Sequence, residues 1–123
     1  MTVRVREAIN GINPVVPAES NLKDAIVKMT EFGFGSVTVT NPDGTVKGVF
    51  TDGDLRRLLQ KEGEHILNRK LDELSYKSPV SIEADSLLNE AAALFKQTNV
   101  DTILVKEKER PVGMLDIQDL KIE

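Results

Sequence analysis

A chain of 123 residues is long enough to bury about two thirds of its unfolded surface without disulfide or metal staples, and 40% hydrophobic with 29% charged residues is far from the composition of a disordered chain. The absence of cysteine excludes disulfides, thiol catalysis and thiolate metal sites. A net charge of -4 with no basic stripe beyond Arg4/Arg6 and Arg56/Arg57 argues against a nucleic-acid partner, and no apolar run approaches the roughly 20 residues of a membrane span, so no membrane partner and a cytoplasmic location are expected.

Along the chain the first regular feature is the pair Pro14-Val15, which opens a strand and is followed by Ser20-Asn21-Leu22-Lys23-Asp24-Ala25. Leu22, Ala25, Ile26, Met29 and Phe32 then step by three or four, which predicts one buried helical stripe ending at Gly33. Val37-Thr38-Val39-Thr40 is a β-branched alternating run and predicts a strand, Asn41-Pro42-Asp43-Gly44 a turn, and Val46 to Phe50 the returning strand of a hairpin. A short polar step leads into a helix containing Asp54-Leu55, and Gln60 to Asn68, with Gly63 and the only histidine, reads as a helix end and solvated connector.

The pattern then repeats with a period of about 65 residues. Leu71 and Leu74 are expected to begin the opening helix of the second copy. Pro79-Val80 and Ser86-Leu87-Leu88-Asn89-Glu90-Ala91 echo the first copy, Leu88, Ala91, Ala92 and Phe95 repeat the stripe, and Asn99 stands where Gly33 stood. Thr102 to Val105 and Val112 to Leu115 are the two hairpin strands, joined by the charged stretch Lys106 to Arg110, with Asp119-Leu120 in the last helix. The fold class expected is therefore α/β (α+β), two tandem β-α-β-β-α repeats over residues 1–63 and 64–123. One repeat has too little core to stand alone, so the two should pack about a shared pseudo-twofold axis and leave a cleft.

Each returning strand carries a glycine, Gly48 or Gly113, two residues before its end. A glycine there marks a bulge or a close approach by backbone or ligand, with plain turn chemistry as the alternative. After Gly48 the chain reads Val49-Phe50-Thr51-Asp52-Gly53-Asp54. Thr51 at a strand end delivers a hydroxyl and free amides to a helix start, a setting that favours phosphate, and Asp54 can accept from two sugar hydroxyls, with Arg56 and Arg57 within reach of phosphate. Thr and Asp are equally good capping residues without any ligand, and Phe50 can face core or base.

The pattern Gly-apolar-apolar-Thr-x-x-Asp resembles that of cystathionine β-synthase (CBS) domains, and the repeat order agrees over nearly the whole chain. More narrowly, GVFTDGDLRR, from Gly48 to Arg57, resembles the regulatory tail of bacterial arabinose-5-phosphate isomerases of the KpsF and GutQ type, which feed synthesis of Kdo for lipopolysaccharide. The resemblance implies a regulatory module that is no enzyme itself, the isomerase domain being absent from this chain. By the same resemblance it is expected to require no cofactor and to bind AMP, ADP, ATP or a cytidine nucleotide joined to Kdo in the cleft. The implied partners are this small-molecule effector, a sugar-phosphate isomerase domain and a second copy of the chain in a homodimer, with a ligand-free interaction scaffold as the alternative.

By the same analogy, cleft walls come from Asn13 to Val16, including Val15, and from Ser78 to Ile82, including Val80. Further walls are Phe34 to Val37, including Gly35 and Ser36, and Val100 to Ile103, including Asp101 and Thr102. The second copy departs from the motif: Asp119 keeps the last acid, but Asp116 stands where Thr51 does, and a carboxylate there repels phosphate. Two unequal pockets are expected, with Asp119 free simply to cap. Asp52-Gly53-Asp54 lacks the further acceptors of a calcium loop, and His65 in its charged connector is expected to be solvated rather than catalytic.

Overall fold

The apolar stripes dictate the helices. In the computed structural model, which describes residues 2–9, 13–33, 35–76 and 78–120, helix α1 is Val5–Ala8, α2 Leu22–Phe32, α3 Asp52–Glu62 and α4 Leu88–Thr98. Leu22, Ala25 and Met29 bury one side of α2, and Leu88, Ala91 and Phe95 the same side of α4. Both helices end as their sequences direct: Gly33 (φ 65°) and Asn99 (φ 57°) are left-handed, and their N–H groups close on the Met29 and Phe95 carbonyls. Asn21 and Asp24 cap the start of α2 reciprocally.

The strands are β1 (Val15–Pro17), β2 (Ser36–Thr40), β3 (Val46–Thr51), β4 (Ser81–Glu83), β5 (Thr102–Glu107) and β6 (Arg110–Asp116). They form two three-stranded sheets, ordered β1-β2-β3 and β4-β5-β6, each with one parallel and one antiparallel pair. This is the β-α-β-β-α order in the first copy, whereas the second closes with a 3-10 turn, Ile117–Leu120, where a final helix was expected. In each hairpin the register slips by one residue just before the conserved offset of the glycine: Val39 faces Gly48 while Thr40 faces Val46, and Val105 faces Gly113 while Lys106 faces Pro111. The recurrent glycine thus adjoins a β-bulge in both copies. The second hairpin is longer than expected, its strands running to Glu107 and from Arg110, so that Lys108 and Glu109 alone make the turn with φ of 51° and 65°.

Packing divides the chain into two units that differ from the sequence copies 1–63 and 64–123: Pro14–Ser78, and Met1–Asn13 with Pro79–Glu123. In the 14–78 unit the core of Val16, Leu22, Ala25, Met29, Val37, Val39 and Phe50 also contains Ile66 and Leu71, with Leu74 and Tyr76 against it. Residues expected in a solvated connector and in the second copy's opening helix therefore complete the first core. Two short 3-10 turns, Glu64–Asn68 and Leu71–Glu73, carry them there. Backbone bonds fix the segment: Leu22 N–H to the Arg69 carbonyl, Leu71 N–H to Ser20 and Asp72 N–H to Ala18.

The other unit repeats this arrangement with α1. Val5 is fully buried beside Leu88, Ala91, Phe95, Ile103 and Leu115, and Leu88 N–H, Val5 N–H and Arg6 N–H bond Val3, Ser86 and Ala84 in the same pattern. The Arg4/Arg6 pair is spent on local acids and carbonyls. Arg4 Nη1 donates to the Asp85 carbonyl at 2.7 Å and Arg6 to Asp85 and Glu107, holding the Asp85 carboxyl below the usual carboxylate range.

Candidate functional site

The turn from β3 into α3 gathers most of the expected ligand residues of the 14–78 unit. Thr51 is the N-cap: its Oγ1 accepts from Asp54 N–H at 3.1 Å, and Asp54 Oδ2 accepts from Thr51 N–H at 2.9 Å. Asp52 N–H bonds the Gly35 carbonyl at 3.0 Å, tying the helix start to the glycine (φ 72°) that precedes β2. Ser36, buried, faces Thr51 across the β2–β3 ladder, and Val15 lies on the same sheet beside Thr38. Thr38 is itself fully buried, with no partner for Oγ1 among the described residues.

Asp54 has a third partner. Arg57 Nη2 reaches Oδ1 at 2.5 Å, so both carboxylate oxygens are engaged, and capping is what Thr51 and Asp54 do in the free protein. Arg56, the residue before Arg57, is exposed. Two carboxylates, Asp52 and Asp54, occupy the first turn of α3 and offset the pull of its N-terminus on an anion. The Asp52 contribution has the same sign as the repulsion expected of Asp116 in the second copy, and its adjacency to Thr51 is plain in the sequence.

Two expected ligand residues turn out to belong to the interior. Phe50 is 2% exposed inside the apolar core, where the strand pleat directs it alongside Val37, so its ring fills the unit rather than an open wall. Gly48 does mark a close approach, but by protein: a Cβ there would lie 2.6 Å from both Cβ and Cγ of Tyr76. Tyr76 was missed because nothing local links it to a glycine 28 positions earlier. Its hydroxyl donates to the Leu71 carbonyl at 2.8 Å, and burial, reinforced by the Asp54 and Asp72 carboxylates, pushes the phenol up to about 12.

The remaining expected residues lie in the other unit. Asp116 caps the final 3-10 turn, Ile117–Leu120, by accepting from Gln118 N–H at 2.9 Å, while Asp119 Oδ2 accepts from Asp116 N–H at 2.8 Å. Ile117 N–H bonds the Asp101 carbonyl as Asp52 N–H bonds Gly35, Leu104 N–H bonds the Val80 carbonyl as Thr38 N–H bonds Pro14, and Thr102 faces Asp116 as Ser36 faces Thr51. Asn13 joins this unit too, its Nδ2 donating to the Pro111 carbonyl at 3.3 Å, and its buried Oδ1 has no partner among the described residues. Phe34 lies outside the described residues. His65 is exposed. No group of three or more His, Asp or Glu among the described residues is placed to hold a metal, and no described helix is long and apolar enough to cross a membrane.

The doubled strand-helix-hairpin order, ending each time in a capped turn, agrees with a family comparison: the CBS domain matches residues 5–61 and again 71–122. The chain belongs to the CBS-domain family. This CBS pair is similar to the arabinose 5-phosphate isomerase KpsF of Escherichia coli, 29% identical over 120 residues that are 97% of this chain and 36% of the relative. It is also similar to the isomerase KdsD of Pseudomonas aeruginosa, 32% identical over 87% of this chain and 33% of the relative. The chain thus spans about a third of the length of these curated relatives. Among solved structures a CBS-domain protein from Pyrobaculum aerophilum, complexed with AMP, superimposes with a TM-score of 0.81 at 18% identity, covering 98% of this chain and 92% of that one. As a CBS pair the chain is a regulatory module, and it matches about a third of relatives that are named arabinose 5-phosphate isomerases.

Proposed function

We propose that this CBS pair senses a nucleotide or nucleotide sugar at the Thr51–Asp54 turn and thereby controls a sugar-phosphate isomerase of the arabinose-5-phosphate class. The carrying observation is the reciprocal Thr51–Asp54 pair at the start of α3. A hydroxyl that accepts one bond still has a hydrogen to give, and a carboxylate has lone pairs for a sugar diol. AMP in the Pyrobaculum structure and the isomerase names of the curated proteins of which this chain matches about a third support the reading. The candidate effectors are AMP, ADP, ATP and a cytidine nucleotide joined to Kdo, with Arg56 and Arg57 as phosphate partners; a ligand favouring one of two arrangements shifts the attached enzyme by its differential affinity. In the second copy Asp116 disfavours phosphate, leaving that turn to a neutral group.

Calorimetric titration of the chain with those four compounds tests this. Submillimolar binding of at least one, weakened tenfold or more by Asp54→Ala, is the expected result; no binding of any of the four sinks it. A second reading draws on the engagement of both Asp54 oxygens by Thr51 and Arg57: a scaffold that pairs into homodimers with no ligand. Light scattering showing dimers, together with no nucleotide-dependent rise in melting temperature, selects that alternative.

A further inference from the structure

Arg57 lies across the acceptor that a riboside needs. Asp54 Oδ2 accepts from Thr51 N–H and Oδ1 from Arg57 Nη2, so a sugar hydroxyl approaching Oδ1 competes with the guanidinium for that oxygen. The guanidinium extends over Gly53, where a Cβ would come within 3.3 Å of Nη1 and 3.6 Å of both Nη2 and Thr51 Oγ1. Glycine weakens a helix relative to alanine, and here it leaves room for the cation. Arg57 is 70% exposed and Asp54 37%, so the ion pair is weak and its side chain is free to swing. A phosphate arriving at this turn also meets Asp52 and Asp54, and so needs a cation delivered to it.

We infer that Arg57 makes the turn selective for phosphorylated over unphosphorylated ribosides by exchanging partners. In the free protein it holds Asp54 Oδ1; in the complex a sugar hydroxyl takes that oxygen and the guanidinium turns to the ligand's phosphate. Adenosine offers the diol but nothing to replace the lost ion pair, whereas AMP offers both. The inference rests on the nucleotide reading of this turn and adds to it the residue that sets ligand charge.

The test is calorimetric titration of adenosine and AMP into the wild-type chain, Arg57→Ala, Arg57→Lys and Lys61→Ala, the last removing the same charge from the final turn of α3. Wild type should prefer AMP. Losing an exposed ion pair should let Arg57→Ala bind adenosine about two- to fivefold tighter. Losing a charge-assisted bond to phosphate should make its AMP binding at least about tenfold weaker. Arg57→Lys, which keeps the charge without the fork, should fall between, and it decides the matter should the alanine variant fail to fold. Lys61→Ala should not move the two probes in opposite directions. Equal weakening of both probes by Arg57→Ala, or unchanged AMP affinity, overturns the exchange while leaving the nucleotide reading in place. Binding of neither probe to wild type overturns both.

Discussion

At the scale of single residues, Gly48 and Tyr76 form one device. The ring rests where any side chain at 48 would stand, and its hydroxyl closes on the Leu71 carbonyl, so strand, ring and 3-10 turn are held at one point. The phenol is neutral in the fold and expensive to ionise there: burial and two carboxylates hold it near 12, against an ordinary value of about 10. An acid whose folded pKa lies above its unfolded one stabilises the fold fully below the unfolded value, and that contribution disappears as pH climbs through about 10 to about 12. Tyr76 is the only tyrosine and there is no tryptophan, so ultraviolet absorbance titrates it directly. The expected midpoint is well above that of free tyrosine, with stability falling across the same window. Gly48→Ala, overpacked against the ring, should cost about 1–3 kcal/mol in denaturant melts and bring the midpoint down. An ordinary midpoint in wild type, or a harmless alanine, would show that the ring does not sit there.

At the scale of elements, the best-marked features in the sequence were those whose signal is local. Helices α2 and α4 follow from apolar spacing and from Gly33 and Asn99, which accept the left-handed cap that ends them. The Thr51–Asp54 turn was legible as a motif, but capping and the proposed ligand contact use the same atoms, and nothing in the sequence distinguishes the Arg57 bond to Asp54 Oδ1 from a free arginine. Ile66 was hidden because the isolated pair Ile66-Leu67 in a charged run has no period to betray it. The Lys108-Glu109 turn was hidden for the opposite reason: a two-residue turn with both φ positive ordinarily announces itself by Asn-Gly or Asp-Gly. Lys and Glu occupy that backbone region at a cost, which the long β5–β6 ladder offsets. Replacing the pair by Asn and Gly should therefore raise stability by about 0.5–2 kcal/mol without altering the register, measurable as a higher denaturation midpoint at unchanged slope. A lower midpoint would mean that the turn is not of this type.

At the scale of the molecule, the unit of sequence repetition is not the unit of packing. Each copy begins with a short segment whose apolar residue enters the core built around the other copy's sheet: Val5 beside Leu88 and Ile103, Leu71 beside Leu22 and Val37. The backbone bonds of the two segments correspond one to one, Leu71 to Ser20 as Val5 to Ser86, and Leu22 to Arg69 as Leu88 to Val3, so the exchange was duplicated with the sequence. The consequence concerns where the chain can be cut. A fragment ending at residue 63 loses Ile66, Leu71, Leu74 and Tyr76 from the 14–78 core while keeping Val5, whose partners are gone. Burying a large aliphatic side chain stabilises by about 1.5–3 kcal/mol, so losing Ile66 and Leu71 alone removes an amount comparable with the stability of a small domain. A fragment of residues 14–78 retains every member of that core. Circular dichroism and amide dispersion should therefore show cooperative unfolding and native-like spectra for 14–78, and neither for 1–63, although both are of nearly equal length. A folded 1–63 fragment would mean that the copies, not the exchanged units, are the cooperative elements of this CBS pair.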